Sequence, residues 1–454
     1  MKEQVIKINV MRHRLGIMNQ IKTVVNVIHR RHLSQSPLLL TPLALAACGS
    51  SASDPLLKQN EFLEGSPGND LIGPFDTALW FRGNGGNDQI FGSSENDIIH
   101  LGSDANIAET YAGNDVISFS GWGNQFDTGL GVDTIKIEFS TTSNVIVDVP
   151  NAIMYRENLL SSFNNEVSNF EIIDASVSAS NLFVISTSEM VNIKTGIGND
   201  SVSVSDYSAD LDGGGGLDTL TFNNNSLRDS TVINLADETY QSASGRDTQT
   251  ITNFENIQII GNNDAVLIGD QYENQLSGGG GSDTIIGGGG SDTLIGGAGR
   301  DFFRFNSSDS PNEPDTIEDF DAGNAGDVLQ FDFENSLSST GLSFRTLDLT
   351  SGATKTLGTN TDILLLVGSS YVSEGQLLAT LNGSSGLQEH RGQFQNSKQL
   401  CVWEHSPSNS LKVSIVSDSV SNGLFVDEIN TIVKLSGLSV NDFSSIGVSN
   451  FDIT

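Results

Sequence analysis

Cysteine, cationic side chains and long apolar runs are all scarce in this sequence, and each scarcity excludes a class of protein. Two cysteines, Cys48 and Cys401, are too few for a disulfide framework. The 22 Lys and Arg residues stand against 56 Asp and Glu, which gives a formal net charge of −34. This surplus of negative charge argues against nucleic acid and anionic membrane surfaces as partners. The longest apolar runs are also too short to span a bilayer as a helix.

Motifs of the common hydrolases are missing as well. The sequence has no His-Glu-x-x-His, which a zinc protease helix would carry, and no Gly-x-Ser-x-Gly, which would indicate a lipase-type nucleophile elbow. Beyond residue 47 only His100, His390 and His405 occur, too scattered to predict a catalytic triad. The sequence therefore favours a protein without catalytic activity. A glycosidase or lyase that uses paired carboxylates would, however, leave no motif to detect.

Glycine and aspartate, by contrast, are plentiful and recur with a period of nine. Gly278, Gly287 and Gly296 each open the pattern Gly-Gly-x-Gly-x-Asp-x-large-x. Glycine suits a tight corner, and the residues around the large apolar place suit a short strand. One unit buries nothing alone, whereas stacked units share a core, so the period predicts a solenoid. A flexible Gly/Ser linker would need neither Asp nor apolar residues at fixed places.

Stacking also places the sixth-place aspartates in columns, where like charges repel unless a cation lies between them. Ca²⁺ takes about six to eight oxygen ligands from carboxylates and backbone carbonyls, so the columns predict calcium sites. The acidity would also keep an exported protein soluble, and the two interpretations are compatible. The repeats resemble the RTX family, the hemolysin-type calcium-binding nonapeptide repeats of exported bacterial proteins. The resemblance implies a parallel β-roll with two nonapeptides per turn and ions bound between aspartates eighteen residues apart.

Three arrays have this nine-residue pattern. In the first, units of nine begin at Gly65 and follow one another until the last, which begins at Thr128. The second comprises the units that begin at Thr195 and Gly213, and the third contains the repeats at 278–304 described above. Leu79, Asn106 and Asn124 replace the carboxylate in the first array, so sites that use them should be weak or absent. Asp292 would face Asn274, a poorer site. The predicted pairs are Asp70 with Asp88, Asp97 with Asp115, Asp115 with Asp133, Asp200 with Asp218, and Asp283 with Asp301. The predicted metal ligands are therefore Asp70, Asp88, Asp97, Asp115, Asp133, Asp200, Asp218, Asp283, Asp292 and Asp301.

Two further features accompany the arrays. Residues 167–174 and 251–258 share one motif that contains Asn-Phe-Glu, and we expect them to complete solenoid turns as edge or lateral elements. Residues 315–331 resemble the segment that closes RTX rolls in serralysin-type proteases. That resemblance implies that Asp315, Asp319 and Asp327 help to bind the last calcium ion.

The N-terminus has the features of an export signal. Residues 1–47 contain seven basic residues and one acidic residue, and they end in an apolar run of the length of a signal-peptide core. Leu45-Ala46-Ala47-Cys48 resembles the bacterial lipobox, in which the cysteine is lipidated. The alternative is a chance Ala-Ala-Cys after a leader of another kind. The last residues, 441–454, resemble the tails of type I secreted RTX proteins, a route that uses no cleaved leader and so competes with the lipobox.

These observations predict an all-β protein with the following plan. A leader or lipoprotein signal (1–47) and a linker (48–64) precede an RTX roll (65–136). A central solenoid-like region (137–260) contains the short pair at 195–221, and a second RTX roll with its closing segment occupies 261–335. A β-rich module (336–454) follows, with strands at 362–367 and 411–416, a short helix at 373–381 and a possible secretion signal at its end.

The function predicted from this plan is calcium binding outside the cell or at its surface, in a structural or adhesive role. Calcium would then control folding, and any membrane contact would be through a lipid on Cys48. The sequence does not specify a protein or glycan partner. The alternative is an exported enzyme, such as a polysaccharide lyase or epimerase or another hydrolase, whose catalytic residues are cryptic.

Overall fold

Short parallel strands separated by glycine-rich corners make up most of the described chain, which confirms the predicted all-β class. The computed structural model describes residues 63–139, 143–157, 164–186, 188–225, 227, 229–245, 248–306, 314–323, 325–332, 344–348, 363–371, 373–381, 398–408, 410–417, 428–438, 442, 445–446 and 450–453. Cys48 and the predicted leader lie outside these residues. Within the described chain, no helix has the length and apolarity needed to cross a membrane.

The chain forms two compact units, Met1–Asp133 and Thr134–Thr454. In the first, odd-numbered strands pair in parallel with one another, and so do even-numbered strands. Phe81 pairs with Ile99, and Ile90 with Ala108, so each turn of the roll takes 18 residues, or two nonapeptides. The strands are β1 (Leu63–Glu64), β2 (Leu71–Ile72), β3 (Trp80–Arg82), β4 (Gln89–Phe91), β5 (Ile98–His100), β6 (Ile107–Glu109), β7 (Val116–Phe119) and β8 (Gln125–Asp127).

Eighth-place side chains of the repeats form the core between the two ladders. Ile72, Phe81, Ile90, Ile99 and Ile117 are fully buried. Because side chains alternate across a strand, the residues on either side of each eighth place face outward, and three-residue strands are enough to enclose a core one side chain wide. The eighth places of the third array, Ile285, Leu294 and Phe303, are buried in the same way.

The second unit is itself a coil of paired parallel strands, with two interruptions. Its strands through the end of the second array are β9 (Thr134–Ile137), β10 (Val145–Asp148), β11 (Ile153–Arg156), β12 (Asn165–Ser168), β13 (Ile172–Asp174), β14 (Leu182–Ile185), β15 (Asn192–Lys194), β16 (Ser201–Val204), β17 (Asp210–Asp212) and β18 (Thr219–Asn223). They are followed by β19 (Thr231–Asn234), β20 (Thr239–Ser242), β21 (Gln249–Thr252), β22 (Asn256–Ile260), β23 (Ala265–Ile268), β24 (Gln275–Ser277), β25 (Thr284–Ile286), β26 (Thr293–Ile295) and β27 (Phe302–Asn306).

The two interruptions are antiparallel excursions that end at the two copies of the Asn-Phe-Glu motif. In the first excursion β11 pairs antiparallel with both β10 and β12, and in the second β20 pairs antiparallel with both β19 and β21. Asn169 and Asn253, the asparagines of the two motifs, both have a left-handed backbone, with φ of 62° and 57°. Each motif then re-enters the coil: β13 pairs with β9 and β15, and β22 pairs with β18 and β24. The motifs thus complete solenoid turns, but their strands lie inside the ladders and not at an edge.

Strands of the C-terminal region extend the roll. They are β28 (Asp315–Ile317), β29 (Val328–Asp332), β30 (Phe344–Asp348), β31 (Ile363–Tyr371), β32 (Lys398–His405), β33 (Ser410–Ser417), β34 (Glu428–Ser436) and β35 (Phe451–Ile453), with one helix, α1 (Glu374–Leu381). β34 pairs in parallel with β28, and β35 with β29, so both ladders continue into this region. The predicted helix is confirmed, and Ser373 caps it by accepting the N–H of Gln376 on its Oγ at 3.1 Å. Cys401 is buried in β32 as a small apolar side chain.

Candidate calcium columns

The predicted ligands all occupy the sixth place of a corner, directly before a strand. Nine of the ten are buried, and Asp70, in the first turn, is half-buried. Burial of so many carboxylates is unusual because each loses its hydration, and charged groups in protein interiors are normally paired or bound to a metal ion. The column positions are therefore the feature of this molecule that most needs a chemical explanation.

One oxygen of each carboxylate is used by the backbone. In nine of the ten, the Oδ1 atom accepts the N–H of the sixth-place residue one turn earlier, as in the bonds from Asp97 to Asp115 (2.7 Å) and from Asp283 to Asp301 (2.8 Å). Asp70, in the first turn, accepts the Ser66 N–H instead. Asn106 and Asn124 make the same contact with their amide oxygens. This bond needs only an oxygen, so it explains why Asn can replace Asp without breaking the roll. Other bonds of this kind join Asp70 to Asp88, Leu79 to Asp97, Asp115 to Asp133, Leu182 to Asp200, Asp200 to Asp218, Ala265 to Asp283, and Asn274 to Asp292.

The second carboxylate oxygen divides the corners into two kinds. In what we call closed corners, Oδ2 accepts the backbone N–H of the second place: Ser66 to Asp70 and Ser93 to Asp97, both at 2.7 Å, and Gly196 to Asp200 at 3.0 Å. In open corners, Oδ2 is buried and has no hydrogen-bond partner. The open corners are those of Asp88, Asp115, Asp218, Asp283, Asp292 and Asp301.

Backbone conformation at the second place accounts for the difference. In all six open corners this residue has a left-handed backbone, which directs its N–H away from the carboxylate: Asn84, Tyr111, Gly214, Gly279, Gly288 and Gly297, with φ between 64° and 99°. In five of these corners a first-place glycine leaves room for the free oxygen, since a Cβ at Gly278 would lie 2.4 Å from Oδ2 of Asp283. In the corner of Asp115 this place is taken by Thr110. Ser66, Ser93 and Gly196 do not have a positive φ, and their N–H groups close the corner.

Electrostatics make the open corners suited to a cation. Burial, with added repulsion from neighbouring carboxylates, raises the pKa of Asp283 to about 8 and the pKa of Asp218 to about 7. Burial likewise raises the pKa values of Asp88, Asp115 and Asp292 to about 6. A divalent cation would remove this penalty because it supplies the missing partner of the free oxygen and offsets the like charges. The residues present therefore fit a hard cation with oxygen ligands.

Backbone carbonyls would have to complete such a site. Among the described residues, no three or more His, Cys, Asp or Glu side chains converge as a metal-binding group. Corner carbonyls of successive turns stack closely, and a Cβ at Gly299 would lie only 1.6 Å from the carbonyl oxygen of Gly281. Glycine is required there, both for its φ of 138° and for this close approach. A site would thus combine carboxylates with the carbonyls of two stacked corners.

At the closing end, the structure brings together carboxylates that the repeat spacing does not pair. The N–H of Asp292 donates to Oδ1 of Asp315 at 3.0 Å, and the N–H of Asp301 donates to Oδ1 of Asp327 at 2.9 Å. Asp319 accepts the N–H groups of Gly296 and Gly297, at 2.9 and 2.7 Å. Asp292 therefore lies between Asn274 and a second carboxylate, Asp315, which the eighteen-residue spacing does not place beside it.

Fifth-place asparagines form a second ladder that sequence reasoning missed. Their side-chain oxygens accept the N–H of the fifth place one turn later, as in the bonds from Asn87 to Asn69 (2.8 Å) and from Asn114 to Asn96 (2.8 Å). The sixth-place bonds run to the preceding turn and the fifth-place bonds to the following one, so each corner is fixed in both directions. The sequence signal that could have predicted this ladder is the frequent asparagine at the fifth place, directly before the sixth-place aspartate.

Two stacked ladders of 18-residue turns, with carboxylates in columns at the corners, define a parallel β-roll of nonapeptide repeats. The model of the RTX calcium-binding nonapeptide repeat matches the chain in four copies, over residues 81–118 and 268–303. The chain therefore contains RTX calcium-binding nonapeptide repeats in these two segments, which confirms the resemblance seen in its sequence. The matched segments contain six of the ten predicted ligands: Asp88, Asp97, Asp115, Asp283, Asp292 and Asp301. No curated protein matches the chain.

Proposed function

We propose that this protein binds several calcium ions along the corners of its roll, and that calcium outside the cell completes its folding. The observation that carries this proposal is the set of six buried carboxylate oxygens without a partner, one in each open corner. In each open corner the other carboxylate oxygen, Oδ1, already holds the preceding turn. The ion would therefore bind to a preformed corner and would offset the cost of the buried negative charge. The protein then acts in a structural or adhesive role, on the cell surface or in the surrounding medium.

The ligands of these ions are the predicted aspartates, with the open corners bearing the tighter sites. An open corner offers a free oxygen, whereas a closed corner must first give up the hydrogen bond from its second-place N–H. Asp70 and Asp97 also accept the hydroxyls of Ser66 and Ser93, at 2.9 and 3.0 Å, so both of their oxygens are occupied. Ions should therefore be bound first in open corners.

Substitution of Asp115 should reduce the number of bound calcium ions more than substitution of Asp70. Asp115 lies between Asp97 and Asp133 and has a free oxygen, while Asp70 has one neighbouring carboxylate and a closed corner. We expect Asp115→Asn to remove up to two ions and Asp70→Asn at most one, as counted by calorimetric titration. Asparagine at 115 keeps an oxygen for the Asp97 N–H, and asparagine at 70 keeps an oxygen for Ser66, so both variants should fold and each is the control of the other. Equal losses would reject both the pairing and the distinction between corners.

Export fits both the class and the ends of the chain. RTX repeat proteins are typically exported bacterial proteins, and calcium is abundant only outside the cytosol. The tail residues resemble a type I signal, but Phe451–Ile453 also forms the strand β35 on the roll. Asn450 supports this strand by donating to the carbonyls of Asp327 at 2.7 Å and Gly323 at 3.1 Å. This packing supports a role of the tail as a cap, with export through the N-terminal leader.

Lipidation of Cys48 is the membrane attachment that we propose. In a native host, Cys48→Ser should transfer the protein from the membrane fraction to the soluble fraction, because one thioether-linked lipid anchor would be lost. Ser50→Ala, two residues away, serves as the control and should leave the distribution unchanged. If Cys48→Ser fractionates like the wild type, and mass spectrometry finds the leader intact, the lipoprotein hypothesis is wrong.

No feature among the described residues favours the enzymatic alternative, so we do not propose it.

A further inference from the structure

Glu255, which belongs to no nonapeptide repeat, lies in one of the aspartate columns. Thr219 pairs with Asn256 just as Ser201 pairs with Thr219, so Glu255 follows Asp218 as Asp218 follows Asp200. The N–H of Asp218 donates to Oε2 of Glu255 at 2.7 Å, and the N–H of Asp200 donates to Oδ1 of Asp218 at 2.6 Å. Glu255 thus makes the contact of a repeat aspartate, although 37 residues separate it from Asp218.

The excursion β19–β20–β21 explains the irregular spacing. The chain leaves the roll after β18 and returns at β21, which pairs with β17 through Leu211 and Ile251. The Asn-Phe-Glu motif then forms the corner that a glycine-rich repeat forms elsewhere. Its Asn253 has a φ of 57°, and a Cβ at Gly213 would lie 2.0 Å from the Asn253 carbonyl oxygen. This carbonyl therefore packs against the corner of Asp218 as the repeat carbonyls do.

Asp218 supplies the feature that points to a ligand. It is fully buried, its Oδ1 accepts the N–H of Asp200, and its Oδ2 has no hydrogen-bond partner. The other nearby carboxylate, Asp212, is already engaged, since it accepts Lys194 Nζ at 2.6 Å and Asn253 Nδ2 at 2.7 Å. Asp218 and Glu255 are therefore two neighbouring carboxylates, one with a buried oxygen that lacks a partner.

We propose that Asp218 and Glu255 bind a calcium ion, with the Asn-Phe-Glu motif replacing a nonapeptide as the source of one ligand. The site joins the end of the excursion to the regular coil. The site suits a hard divalent cation, because the coordinating groups are two carboxylates and corner carbonyls. The proposal rests on the proposed function, since the ion is the same as that of the open corners.

Native mass spectrometry of the full chain in calcium can count the ions one by one. Glu255→Gln should bind one calcium ion fewer than the wild type, because glutamine keeps an oxygen for the Asp218 N–H but removes the charge. Glu238→Gln is the matched control: Glu238 is exposed at the β19–β20 turn of the same excursion and should keep the full count. In an Asp218→Asn background, Glu255→Gln should remove no further ion, since the two residues share one site.

The outcomes distinguish failure of the Glu255 site from failure of the proposed function as a whole. A wild-type chain that binds no calcium overturns both. A wild-type chain that binds calcium, with equal counts for Glu255→Gln and Glu238→Gln, overturns only the Glu255 site. Should Glu255→Gln fail to fold by circular dichroism, carbodiimide labelling of calcium-saturated protein takes its place. Glu255 should then label weakly in the wild type and strongly in Asp218→Asn, and equal labelling in the two overturns the proposal.

Discussion

Removal of calcium should expose residues 261–306 to proteases, whereas millimolar calcium should protect them. The segment has a core only one side chain wide, formed by Leu267, Leu276, Ile285, Leu294 and Phe303. Against this small core stand the buried carboxylates of Asp283, Asp292 and Asp301, each with an oxygen that lacks a partner. Without a cation, these oxygens are hydrated more favourably in the unfolded chain than in the roll. Folding must therefore draw on ion coordination.

The expected effect is large because several ions act together. One ion present at 100 times its dissociation constant stabilises the folded state by about 2.7 kcal/mol, and extracellular calcium modules have dissociation constants of about 10⁻⁴ to 10⁻³ M. The rate of cleavage within the segment, measured by limited proteolysis of the full chain, should differ more than tenfold between chelator and about 10 mM calcium, which is about 10 to 100 times such constants. Magnesium at the same concentration is the ionic-strength control and should protect poorly, because Mg²⁺ dehydrates reluctantly and requires a near-ideal octahedron. Equal cleavage in chelator and calcium would show that the β-ladder alone folds this segment.

Acid should partly replace calcium, which is the second large effect that we expect. Burial raises the pKa of Asp218 to about 7 and the pKa of Asp283 to about 8, from 3.8 for an ordinary aspartate. A carboxyl whose pKa is raised by folding binds protons more readily in the folded state. The stability of the calcium-free protein is therefore highest at low pH and decreases as the pH rises through these folded-state values.

Thermal unfolding in chelator tests the sign of this dependence. The melting temperature should decrease as the pH rises from about 4, the ordinary pKa of an aspartate, to about 8, the folded-state pKa of Asp283. The decrease should be steepest below about pH 6, where Asp88, Asp115 and Asp292 contribute together with Asp218 and Asp283. With saturating calcium the dependence should reverse, because the ion binds the deprotonated carboxylates and its affinity rises through the same window. Asp283→Asn removes one titrating group, keeps the Oδ1-type contact and should flatten the curve measured in chelator. A melting temperature that rises with pH in chelator would contradict the assignment of buried, strained carboxylates.

Local sequence determined the regular part of this protein. A period of nine places glycine, aspartate and a large apolar residue at fixed positions, and stacking such units in 18-residue turns is the way they can share a core. The buried Ile72, Ile99 and Ile285 and the columns of sixth-place residues follow from that arithmetic. The helix cap at Ser373 was also readable, since capping depends on residues three apart.

Only the tertiary structure decided which carboxylate oxygens are free. A closed corner at Asp97 and an open one at Asp115 differ in the φ of the second place, and a left-handed Tyr111 has no signature in its residue type. The tertiary structure also brought Glu255 to Asp218 and Asp315 to Asp292, at separations of 37 and 23 residues. These pairs depend on how excursions of irregular length rejoin the ladders, and a contact between distant turns has no fixed spacing in the chain. Periodicity encodes the neighbour one turn away, whereas the geometry of each corner is set by the corners stacked on both sides of it.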